Sequence, residues 1–204
     1  MNYALGDSHS STFAGLSIPI GCLNFGAIPM FRVVHDVIVE EHIGHFLRTG
    51  ELSRDGMWIF CFGDNDVRCH IHKQITEKMR NEDEVIERLV TEYVGKARTL
   101  HHSIAIMSVV PPFQMDARKE EFLNNLSLPW MKDVRGSDVE RSRYVAKIND
   151  LMKSECAKYG VLYLDVYGAY KDGNGMLPID VSDGNVHILN RGKVEVILRE
   201  LGLV

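Results

Sequence analysis

The chain has 204 residues, 45% of them hydrophobic and 25% charged, and carries a net charge of −5. That length suits a single domain, residues 1–204, with a full hydrophobic core. The mildly acidic balance argues against a nucleic-acid groove, and no apolar run approaches the ~20 residues that a membrane helix needs.

Asn2-Tyr3-Ala4-Leu5 reads as a short apolar strand that Gly6 breaks, with Ser8 on the turn beyond it. A strand that begins at residue 2 leaves no room for a removable leader. Cys22, Cys61, Cys69 and Cys156 show no disulfide spacing and read as reduced thiols, so a cytoplasmic location is expected. Residues 10 to 22 are punctuated by Ser, Gly and Pro and read as loop with a short helix. Residues 35 to 49 read as helix, with Gly50 as its stop. Met57 to Phe62 is a continuous apolar run of the kind buried on both faces of a parallel sheet.

Asn81 and Glu84 form an approximate capping box, and Ile86, Leu89, Val90, Tyr93, Val94 and Ala97 then repeat at helical spacing. Ser103 to Val110 reads as the next strand, stopped by Pro111-Pro112. Residues 116 to 135 read as an irregular insertion with a short helix. A long helix is expected from about Ser137 to Gly160, with Tyr144, Ile148, Leu151, Met152, Cys156 and Tyr159 on one face. Val161 to Val166 reads as a fourth strand, and Val194, Ile197, Leu198 and Leu201 mark a closing helix. Strands alternating with helices imply βαβ units and a mainly parallel sheet. Right-handed crossovers make it a three-layer α/β/α sandwich of flavodoxin-like type.

Three stretches carry candidate chemistry. Gly6-Asp7-Ser8 places a serine at the carboxyl end of a strand, where open α/β sheets bind ligands. A serine hydroxyl is a poor nucleophile without a base. Ser182-Asp183-Gly184-Asn185-Val186-His187 offers His187 as base and Asp183 to orient it. Between them, Phe62-Gly63-Asp64-Asn65-Asp66 puts an amide on a turn just past a buried strand. Each has a plainer alternative: a turn serine, a surface or cap histidine, an Asx turn.

In order and spacing these stretches resemble the blocks of the GDSL/SGNH hydrolase family. The resemblance implies a three-layer α/β/α fold and acyl transfer without cofactor or metal. It implies Ser8 as nucleophile, Asp183 and His187 as acid and base, and the Asn65 side chain as oxyanion donor. Gly26 is the candidate for the second oxyanion donor, through its backbone N–H, with Gly21 behind it. The family's acid and base stand three residues apart, whereas Asp183 and His187 are separated by four. Either the loop bulges, or Asp180 or a backbone carbonyl holds the imidazole.

Asp7 and Asp66 are expected to hold loops through backbone hydrogen bonds. Arg68 is a candidate substrate-binding residue, with a structural ion pair as the alternative. Cys69, His70 and His72, with Cys61, fit no common zinc spacing, so no metal is expected. The expected partner is a small-molecule or carbohydrate ester. A non-catalytic binding module, and an acyltransferase to a sugar hydroxyl, remain alternative readings. A nucleotide binder is weakened because neither a Gly-rich fingerprint nor a phosphate-loop lysine follows the first strand.

Overall fold

Strand β1 (Asn2–Gly6) is the organising element, because both of its edges are paired. A computed structural model describes residues 1–116, 133–184 and 186–203. Five parallel strands run in the order β2-β1-β3-β4-β5, where β2 is Ile20–Asn24, β3 Trp58–Cys61, β4 Ile104–Met107 and β5 Leu162–Leu164. The order reverses at β1, so the first crossover runs one way and the later ones the other. The crevice at the carboxyl ends of β1 and β3 is therefore the place where such a sheet leaves room for a ligand.

Alternation along the strands feeds two cores. Tyr3, Leu5, Trp58, Phe60, Ile104 and Ile106 face one, with the helices α1 (Met30–His35), α2 (Ile38–Thr49), α4 (Glu82–Leu100) and α5 (Asp138–Tyr159). Between α2 and α4 comes the short α3 (Ile71–Thr76). Ala4, Ile59, Cys61, Ala105, Met107 and Leu164 face the other core, with α6 (Val166–Tyr170) and α7 (Gly192–Glu200). Two buried sheet faces give the expected three-layer sandwich. Among the described residues no helix is long and apolar enough to cross a membrane. All four cysteines are free.

Helix boundaries follow local chemistry. The Asn81 side chain accepts from the N–H groups of Asp83 and Glu84, which starts α4. Ser137 and Glu140 form a reciprocal capping box at α5, and Gly160 ends that helix in the left-handed region at φ 64°. In α5 the inward face is Tyr144, Val145, Ile148, Met152 and Cys156, and the expected Tyr159 is exposed.

Several elements depart from the sequence reading. The end of the stretch read as loop over residues 10 to 22 instead opens edge strand β2, which needs only one partner and is half-buried, so it lacks a continuous apolar run. Residues 30 to 35 form α1, and its start is fixed from a distance by Asp66, which accepts the Met30 N–H at 2.5 Å. Val166 belongs to α6 rather than to the last strand, because the Asp165 carboxylate caps that helix through the Gly168 N–H. The insertion read at residues 116 to 135 lies almost wholly outside the described residues.

Candidate active site

The β1 strand ends where its backbone is pressed against β3. A Cβ on Gly6 would lie 2.7 Å from the Cys61 carbonyl carbon, so this position admits only glycine. Ser8–Phe13 then forms a short 3₁₀ segment, started by the Asp7 carboxylate, which accepts the His9 N–H at 2.9 Å. Ser8, on its first turn, is half-buried at the carboxyl edge of the sheet.

The base loop comes from the other end of the chain. Ser182 and Ile188 pair as an antiparallel bridge, and the Asp183 N–H donates to the His187 carbonyl at 2.9 Å. Gly184 adopts φ 78°, which turns the loop and accommodates the four-residue spacing of Asp183 and His187. Asp183 then serves His187 twice: Oδ1 accepts its backbone N–H at 3.1 Å, and Oδ2 lies 2.8 Å from ring Nδ1. An ionised carboxylate only accepts, so Nδ1 carries a proton, and in the neutral tautomer Nε2 is the nitrogen that keeps its lone pair. Asp183 is thus the partner of His187, and Asp180 is not needed. Among the described residues no hydrogen bond joins the Ser8 hydroxyl to His187. The His187 ring meets the Ser8 turn through His9, with ring centroids 5.3 Å apart.

The third stretch leaves β3 through Gly63, whose φ of 127° and contacts with Val109 and Met30 exclude a side chain. Beyond it the backbone winds into one wide turn of π-type geometry, Asp66–His70. Such turns arise where a helix gives up regularity to aim particular side chains. Here Asn65 is gripped at both ends of its amide. Nδ2 donates to Asp7 Oδ2 at 3.3 Å, and Oδ1 accepts from Arg68 Nη2 at 3.0 Å. A guanidinium can only donate and a carboxylate can only accept, so the amide has one orientation, and a second Nδ2 hydrogen remains to donate elsewhere.

No family model matches the chain, and no curated protein matches its sequence. Solved structures do match its backbone. The native aryl esterase of M. smegmatis superposes with a TM-score of 0.57 at 13% identity, covering 100% of this chain and 99% of that one. A GDSL-like lipase from Bacteroides thetaiotaomicron gives 0.53 at 13% identity, covering 98% and 86%. The acetyl xylan esterase AlAXEase gives 0.52 at 10% identity, covering 100% and 98%. The chain has the SGNH-hydrolase fold.

Within this SGNH fold, Arg68 is placed differently from the sequence expectation. It is 7% exposed and turned inward, with Nε against Asp64 Oδ2 at 2.5 Å as an ion pair and Nη2 on Asn65. These contacts with the carboxylate and the amide beneath the candidate site are what the ion-pair alternative expects. Gly26 stands just beyond the end of β2 at φ 83°, and its N–H donates to the Asn24 side chain at 2.8 Å. Gly21 is inside β2, opposite Tyr3, and away from the carboxyl edge.

Asp66 holds a loop as expected, accepting from the start of α1. Burial pushes its carboxyl up to about 7 against the hydrogen bonds from Met30 and Phe31, with the Asp7 charge adding to the rise. His70 stacks on Phe31, His72 Nδ1 lies 3.2 Å from the Tyr144 hydroxyl, and among the described residues no cluster of His, Cys, Asp or Glu could hold a metal ion. A cleft of about 600 Å³ between α1, α3 and α4 is lined by Phe31, His70 and Arg80 among others, and by none of the candidate site residues.

Two buried residues under the candidate site escaped the sequence reading: His9 and Asp64. Nothing in their local sequence separates them from ordinary turn residues. Their signal is charge balance after folding, since Asp7 and Asp64 face His9 and Arg68 in one desolvated group.

Proposed function

We propose that the chain is a serine-dependent ester hydrolase acting on a small or carbohydrate-linked acyl ester through an acyl-serine intermediate. The observation that carries this reading is the Asp183–His187 pair, in which the carboxylate accepts from Nδ1 and so leaves Nε2 as the nitrogen that can take a proton in the neutral tautomer. It is supported by the esterase and lipase descriptions of the structures that share the fold.

In this reading His187 Nε2 takes the Ser8 proton as Oγ attacks the acyl carbon. The oxyanion that forms is met by the free hydrogen of Asn65 Nδ2 and by the Ser8 N–H. The Gly26 N–H joins them when Asn24 releases it. The imidazolium then protonates the departing alkoxide. Water, activated by the same nitrogen, attacks the acyl-enzyme and frees the carboxylic acid and Ser8. A sugar hydroxyl in place of water would make the same chain an acyltransferase.

The test is hydrolysis of a short-chain activated ester, such as a nitrophenyl acetate, by wild type and by Ser8→Ala. Turnover or a burst that disappears in the variant supports the serine mechanism. Equal background rates from both folded proteins, extended to acetylated sugars, overturn it and leave a binding module.

A further inference from the structure

His9 lies beneath the nucleophile turn, 2% exposed, with an acceptor at each ring nitrogen. Nδ1 is 3.0 Å from Asp7 Oδ1, and Nε2 is 3.1 Å from the Val186 carbonyl oxygen. A carbonyl oxygen has no proton to give, and the Asp7 carboxylate already accepts from the His9 backbone and from Asn65. Each ring nitrogen must therefore donate, and only the imidazolium has two N–H groups.

We propose that His9 is a positioning residue, held as a buried imidazolium, that bolts the Ser8 turn to the loop carrying His187. Its charged surroundings fit. Asp64 Oδ2 is 4.0 Å from Nδ1, Arg68 pairs with that same Asp64, and the His187 ring centroid is 5.3 Å away. Burial works against the charge on His9. The Asp64 and Asp7 carboxylates outweigh it, with Arg68 opposing them, and the pKa rises to about 9.

The bolt acts on the residue that precedes the base. Val186 has its side chain in a small apolar cluster with Phe113 and Met115, and its carbonyl on His9. These two anchors set where the backbone enters His187. Loss of the Nε2 proton leaves the Asp7 hydrogen bond intact and releases Val186. Serine and base then lose their common support, although each keeps its own local hydrogen bonds. The role of the bolt in turnover rests on the ester-hydrolase reading; the bolt itself does not.

The test reads the tie directly in ¹⁵N-histidine-labelled protein. Long-range ¹H–¹⁵N spectra from pH 6 to 10 should show one histidine with both ring nitrogens protonated through pH 8, absent from His9→Gln. A His9 ring with one bare nitrogen at pH 7 overturns the proposal. In His9→Gln, a single amide cannot serve both acceptors, and amide exchange of residues 186–188 should rise at least ~10-fold, as loss of a charged hydrogen bond implies, with β3 and β4 unchanged. Unchanged exchange there overturns the tie even if the variant's activity falls. On the ester that Ser8→Ala fails to turn over, His9→Gln should lower kcat at least ~10-fold with KM within about twofold, since alignment is lost rather than binding. Wild type should lose kcat above about pH 9. If wild type turns over no ester, the hydrolase reading fails while the spectra and the exchange still decide the tie.

Discussion

Arg68→Lys separates what the buried guanidinium does for the fold from what it does for the site. Four charges lie together under the nucleophile turn: Asp7 and Asp64 against His9 and Arg68. Deleting the cation with Arg68→Met leaves two carboxylates facing one imidazolium in a desolvated setting. Breaking a buried pair in this way costs roughly 3–5 kcal/mol. Arg68→Lys keeps a cation for Asp64, but its donors all sit on one nitrogen and cannot span Asp64 and Asn65 Oδ1 as the Nε and Nη2 of the fork do. Stability should then fall by only about 1 kcal/mol, the net worth of one hydrogen bond. The Asn65 amide, held at one end only, is free to tilt. Complete loss of an oxyanion donor costs about 10²–10³ in rate, so a tilted one should lower kcat about 10- to 100-fold with KM little changed. Urea midpoints of the three proteins and kcat on the activated ester give both quantities. A lysine variant with kcat within twofold of wild type would refute the claim that the guanidinium fork orients Asn65.

Other outcomes follow from the same geometry. Asp183→Asn offers an amide that can leave His187 Nδ1 without an acceptor, so kcat should drop by roughly 10⁴ while the partly exposed loop keeps the fold stable; steady-state rates alongside circular dichroism check this. Gly6→Ala forces a Cβ onto the Cys61 carbonyl between two central strands, and should reduce soluble yield or lower the urea midpoint by more than any substitution at the exposed Gly173. Stability should also fall as pH rises. Asp66 has its folded pKa raised to about 7, so the stabilisation of its protonated form is lost between about pH 4 and 7. His9 is raised from 6.5 to about 9, so its contribution, roughly 3 kcal/mol, is complete below pH 6.5 and lost as pH climbs through 9. Melting temperatures from pH 5 to 10 test both, and Asp66→Asn should flatten the part below pH 7 while leaving the part above it.

Much of this molecule is written locally. Continuous apolar runs such as Trp58–Cys61 are strands because both faces of the sheet are covered. The spacing of Ile86, Leu89, Val90, Tyr93, Val94 and Ala97 is a helix because one stripe must be buried, and all six are buried. Ser8, Asn65 and His187 were legible as candidates because short turns at strand ends bring polar side chains to the carboxyl edge. Five further features required the tertiary structure. Asp183 meets His187 across four residues through the left-handed Gly184 and the bridge that closes its loop. Edge strand β2 exists through its ladder with β1, and α1 through a cap from Asp66, 36 residues beyond Met30. Arg68, read as either a substrate or an ion-pair residue, has its inward partners Asp64 and Asn65 only because the packing brings them there. His9 owes its charge to a carbonyl 177 residues away. A residue's own neighbours determine periodicity and turn chemistry, but burial and the partners of a charge are set only when distant segments pack.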